Sequence, residues 1–155
     1  MDLAFNLLEA ACLAKNYGEV EKILREKKSE INVNQKIAKG NTLLMVAVDA
    51  GDLILTKLLL DNGADINAQD GEKWTALMIA SYGGTLEMVK LLMSYKPKVN
   101  MKNAYAGDAL LFAADKGDLG IIKELVEHGA NVNSKEEDGW TAIRFAAQTD
   151  QQDII

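Results

Sequence analysis

The chain has 155 residues, 48% apolar, 26% charged and 6% aromatic, which suits a single domain with a sizeable core and excludes a disordered chain. Its net charge of −6 speaks against nucleic acid and anionic membrane surfaces, both of which call for clustered Lys and Arg, and modestly favours a basic partner. The single cysteine, Cys12, rules out an internal disulfide, argues against a Cys-based metal site, and reads as a small buried apolar thiol.

At the N-terminus, Asp2 replaces the basic start of a signal peptide, while Asn6 and Glu9 interrupt the apolar stretch. Glu9 also stands where a lipoprotein cleavage site would need an apolar residue. No apolar run approaches bilayer-spanning length, and the chain is expected to be intracellular, in the cytoplasm. Residues 3–36 form an irregular first unit with expected core positions Leu7, Ala10, Ala11, Val20, Ile23 and Leu24. Charges crowd its later half from Lys15 to Lys28, as suits a terminal cap whose outer face is polar.

A 33-residue period follows. Gly51, Gly84 and Gly117 share it, as do Asn67, Asn100 and Asn133, the alanines 47, 80, 113 and 146, and Leu44, Leu77, Leu110 and Ile143. Thr42, Thr75 and Thr141 keep the same register, with Asp108 in the gap. Each period predicts two short helices and an extended loop. Thr42 is a good N-cap, and the nearly all-apolar run Leu43–Ala50 suits a helix buried on several sides. Gly51 supplies the left-handed stop; Asp52 caps a second helix, as Thr85 and Asp118 do in the next units. Leu55, Leu58 and Leu59 give that helix its inward stripe, and Gly63 ends it. The units are expected at 37–69, 70–102 and 103–135, with an incomplete one at 136–155. The chain ends with Ile154 and Ile155 in the positions of Met88 and Val89, inside a second helix, which predicts a longer parent protein.

The stretch Gly40-Asn41-Thr42-Leu43-Leu44-Met45-Val46-Ala47, followed by Leu58-Leu59-Leu60-Asp61-Asn62-Gly63-Ala64-Asp65-Ile66-Asn67, resembles an ankyrin repeat, and the resemblance covers essentially the whole chain. It implies an all-α solenoid of antiparallel helix pairs with projecting β-hairpin loops, whose concave side usually binds protein. It also makes Asn67 and Asn133 similar to hairpin asparagines that are hydroxylated in some animal repeats, although bonding to its own hairpin backbone explains such a residue better.

The departures are specific. The Thr-Pro-Leu-His start of the first helix is replaced by Thr42-Leu43-Leu44-Met45, Thr75-Ala76-Leu77-Met78, Asp108-Ala109-Leu110-Leu111 and Thr141-Ala142-Ile143-Arg144. Loss of the Pro and His throws more of the stacking onto apolar contact, predicting lower stability in the same fold. Lys96 stands where Gly63 and Gly129 stand, followed by Pro97; a left-handed Lys96 would be uncommon, so that second helix is expected to end differently. Lys96, Lys98 and Lys102 read as a solvated basic turn.

No arrangement for catalysis is legible. His128, the only histidine, has no second ligand for a metal and no positioned partner for proton transfer, and reads as a surface residue at a helix C-terminus. Gly83-Gly84 lacks the lysine of a phosphate loop. Glu136-Glu137-Asp138 does not match a calcium loop and reads as a hairpin tip. No cofactor is expected.

The aromatic residues carry the functional expectation. Trp74, Tyr82, Tyr105 and Trp140 fall at places that line the concave side in ankyrin folds. Each ring could instead pack on a neighbouring hairpin and stiffen the stack, but a band across successive units favours partner contact, because Trp and Tyr dominate interface hot spots. The expected partner-binding set is Lys39, Asn41, Asp49, Glu72, Trp74, Tyr82, Tyr105, Asp115, Lys116, Glu137, Asp138 and Trp140. The expected function is a monomeric, non-catalytic module that binds another protein, with no nucleic acid and no membrane. The competing readings are a regulatory, inhibitory or small-ligand-sensing part of an enzyme, and a structural segment of a longer array.

Overall fold

In the computed structural model, residues 2–83, 85–135 and 141 are described. Helix pairs follow one another: α1 (Leu3–Leu13) with α2 (Tyr17–Glu26), α3 (Leu43–Asp49) with α4 (Leu53–Asp61), α5 (Ala76–Gly83) with α6 (Leu86–Met93), and α7 (Ala109–Lys116) with α8 (Leu119–Glu127). The helices form two rows. α1, α3, α5 and α7 pack side by side in the first; α2, α4, α6 and α8 do so in the second. The expected all-α ankyrin solenoid is thus the fold.

Local chemistry sets the helix starts. The side chains of Asp2, Asn16, Thr42, Asp52, Thr75, Asp108 and Asp118 each accept from a backbone N–H three residues on, at 3.0–3.3 Å, satisfying donors that a helix leaves free. Thr85 is the exception. It stands at the N-cap of α6 but makes no side-chain capping bond, so the expected cap is present in position only.

Between units, short loops form hairpins closed by Ile37 N to Asn41 O (2.8 Å), Asp70 N to Trp74 O (3.0 Å) and Asn103 N to Gly107 O (2.9 Å). They are turns rather than extended ribbons: among the described residues the one β-bridge joins Lys135 to Thr141. Neighbouring hairpins are stitched together. Gly71 N donates to Lys39 O, and Ala104 N to Glu72 O, at 3.0 and 2.9 Å. The close approach leaves no room for a side chain at Gly40, where a Cβ would lie 2.8 Å from Gly71 N. Asn34, Asn67 and Asn100 accept through Oδ1 from the backbone N–H of Asp65, Lys98 and Asn131 in the next unit.

The core runs continuously through the stack. Ala47, Ala80 and Ala113 are 1%, 2% and 0% exposed, small side chains where helices approach closely. The first unit departs from the expectation: Leu7 is 46% exposed and Ala10 is exposed as well, while Phe5, Leu8, Ala11 and Cys12 face inward. The reason is a change of step. Asn16 and Asp52 play the same capping role 36 residues apart, so Leu8 and Ala11 take the positions of Leu44 and Ala47. The extra 3-10 turn at Lys28–Glu30 absorbs the difference before Asn34 restores the shorter step.

Two other expectations are revised. Lys96 does adopt the left-handed conformation (φ 55), as Gly63 and Gly129 do. Its helix ends one residue sooner, with Ser94 Oγ donating to Leu91 O. Lys102, exposed like Lys96 and Lys98, is not a free solvated cation. Its ammonium donates to Ala106 O and Ser134 Oγ and lies 3.5 Å from Asp108 Oδ2, so the buried carboxylate that replaces a threonine keeps a counter-charge.

Placing leucine at position 113 should overpack the joint between units and lower the unfolding free energy by ~1–3 kcal/mol, read from urea denaturation. A second outcome concerns Cys12. Burial, reinforced by the charges of Glu9 and Asp52, pushes its thiol up to about 11, above the unfolded value, so the fold favours the neutral form. The stability this gives is whole below the unfolded value and is lost as pH rises towards about 11. Between pH ~8 and ~10.5 the wild type should lose ~1–2 kcal/mol more than Cys12→Ala does.

Candidate partner-binding face

Two of the three described aromatic candidates, Trp74 and Tyr82, come together where a hairpin meets the first-row helices α5 and α7. Trp74, at the foot of its hairpin, stacks on Phe112 of α7 in the next unit, with centroids 4.4 Å apart and planes 14° apart. Tyr82, at the end of α5, stands nearly perpendicular to both: 5.9 Å and 76° from Trp74, 6.0 Å and 83° from Phe112. Such offset and edge-on pairs hold one another's orientation. Trp74 is half-buried in this cluster, whereas Tyr82 is 44% exposed. The Lys116 ammonium lies 4.2 Å from the Tyr82 centroid.

The register explains why the cluster forms where it does. Asn41, Trp74 and Gly107 share one position in successive units, and Val46, Ile79 and Phe112 share another. A Cβ at Gly107 would lie 2.8 Å from Phe112 Cζ, so glycine there admits the Phe112 ring, and Trp74 closes over it from the preceding unit. Phe112 was not among the expected site residues. Its signal is an aromatic ring at a position whose counterparts, Val46 and Ile79, are only partly buried.

The hairpin tips bring a second group together. Lys39, Asn41 and Glu72 line a polar groove of about 420 Å³ with Asp70 and Gly71. Asp70 Oδ1 accepts from the backbone of Glu72 and Trp74, both at 2.9 Å, and so fixes the tip. Tyr105 holds the position of Lys39 and Glu72 one unit on. It is 54% exposed, its backbone N–H donating to Asn103 Oδ1 at 2.9 Å. Asp49, Tyr82 and Asp115 form a further row near the ends of α3, α5 and α7, all exposed. Glu137, Asp138 and Trp140 lie outside the described residues.

The remaining candidates for chemistry take structural places. His128 caps α8, its Nδ1 2.8 Å from Glu124 O, which makes that nitrogen the donor. Cys12 is 5% exposed beside an apolar recess that Leu43, Val46 and Leu55 also line. Among the described residues no group of three or more His, Cys, Asp or Glu could hold a metal ion. No described helix is long and apolar enough to cross a membrane.

The family model for ankyrin repeats in three copies matches residues 7–103, and that for ankyrin repeats in many copies matches residues 110–155. A search of curated proteins finds no match. Ankyrin repeats are in general protein–protein interaction modules, typically without catalytic activity of their own. With these models matching residues 7–103 and 110–155, well over half of its length, the chain belongs to the ankyrin-repeat family.

Proposed function

We propose that the chain is a non-catalytic, monomeric module that binds a partner protein in the corner between its hairpin tips and first-row helices. The observation that supports this most is Tyr82, 44% exposed within a ring cluster that is already ordered, with Tyr105 exposed at a hairpin tip. Exposed rings held in one conformation lose little entropy on binding, which is why Tyr and Trp act as interface anchors. The binding set is Lys39, Asn41, Asp49, Glu72, Trp74, Tyr82, Tyr105, Asp115 and Lys116, extended by Glu137, Asp138 and Trp140. An intracellular location accords with one buried thiol and no disulfide framework.

The two kinds of aromatic residue separate in experiment. Tyr105 lies at a tip with most of its ring in solvent, so Tyr105→Ala should leave the melting temperature within a degree or so of wild type. Affinity for the native partner should still fall by ~2 kcal/mol, roughly 30-fold. Trp74 also ties two units together through Phe112, so Trp74→Ala should cost stability as well, by ~1–3 kcal/mol. Quantitative pull-down from native lysate, wild type beside Tyr105→Ala, measures the first effect and thermal denaturation the second. A partner retained equally by both proteins would rule out this face.

A further inference from the structure

We infer that the exposed face of Tyr82 is a receptor for a cationic side chain, Arg or Lys, carried on an extended segment of the partner, and that Lys116 occupies this receptor in the free chain. The inference rests on the protein-binding reading and adds to it the chemistry of the ligand.

Trp74 and Phe112 stack on each other at 4.4 Å, closing the space between them, so no side chain can enter there. Tyr82 stands nearly perpendicular to both and outside their stack, and it is over its ring that the Lys116 ammonium sits, 4.2 Å from the centroid. The negative face of an aromatic ring attracts a cation, and a ring already held by two neighbours presents that face without reorganisation.

Lys116 has no carboxylate partner among the described residues. Its flexible four-carbon stem is held over the ring by this contact, at the last position of α7, so it can swing away into solvent. A partner's ammonium or guanidinium would replace like with like, and a planar guanidinium stacks on a ring better than an ammonium does.

The surroundings favour the same charge. The repeat puts Asp49 and Asp115 at the position of Tyr82 in the units before and after, and α3, α5 and α7 are successive neighbours in the first row. Both carboxylates are exposed, and neither is ion-paired among the described residues. The row therefore reads carboxylate, ring, carboxylate, a pattern complementary to a basic segment crossing the units.

The test titrates the full chain with the capped peptide acetyl-Gly-Arg-Gly-amide, with acetyl-Gly-Glu-Gly-amide as control, following the ring resonances of Tyr82 and Trp74 by NMR. The arginine peptide should give saturable shifts centred on Tyr82 and the glutamate peptide none. Lys116→Ala uncovers the ring and should tighten binding about threefold or more, whereas Lys123→Ala on α8, which removes the same charge away from the ring, should leave it unchanged. Asp115→Asn should weaken binding and flatten its salt dependence; Tyr82→Leu should abolish the saturable shifts. Equal effects of Lys116→Ala and Lys123→Ala, or binding that survives in folded Tyr82→Leu, overturn the inference. Should Tyr82→Leu fail to fold, the comparison of the two lysine variants decides alone. Tyr105→Ala against the native partner tests protein binding without touching Tyr82, so the two readings fail separately.

Discussion

No helix pair in this chain can bury its own apolar surface, and that constraint organises the rest. α3 and α4 together present Leu43, Leu44, Val48, Leu55 and Leu59, all buried, and much of that surface is shielded by the pairs on either side. Each unit is therefore stable only as a neighbour of others. The alanines at 47, 80 and 113 follow from the same demand, since large side chains at those positions would hold the helices apart. So do the side-chain stitches. Lys36, Gln69 and Lys102 each reach the backbone of the next hairpin at a spacing of 33 residues, satisfying carbonyls that a strand partner would otherwise take.

Stacking also builds the candidate face. A row of first helices and a series of stitched hairpins run along the stack, and each unit contributes the same few positions to them. What differs from unit to unit is the side chain placed there. One register carries Asn41, Trp74 and Gly107; another carries Asp49, Tyr82 and Asp115. The scaffold is repetitive and the surface is not, which is how a fold of this kind acquires a specific partner without altering its core.

The junction between the third and fourth pairs shows how far the repeat tolerates substitution. Lys96 accepts a left-handed backbone that glycine takes elsewhere, Thr85 leaves its helix uncapped by a side chain, and Asp108 brings a buried carboxylate where its counterparts are threonines. Lys102 answers the last of these by reaching Asp108, Ala106 and Ser134 together. A carboxylate in the interior is costly unless a counter-charge and a hydrogen bond accompany it, and here one lysine supplies the charge while the helix start supplies the bond.

The sequence by itself determined the period, the helix pairs, most of the caps and the buried alanines, because these depend on local chemistry and on a pattern repeated often enough to exclude chance. It also singled out Trp74, Tyr82 and Tyr105, by register, as candidates for a partner-binding face. Only the tertiary structure decided what those rings do there. That Trp74 stacks on Phe112, that Gly107 makes the room, and that Lys116 lies over Tyr82 all depend on contacts between units, and no periodicity encodes which side chain of one unit meets which of the next. The misplaced core of the first unit has the same origin. Ala11 is buried as expected, but Leu7 and Ala10 read as buried from their apolar character alone, and a step of 36 residues rather than 33 turned Leu8 and Phe5 inward instead, where α1 packs against α3.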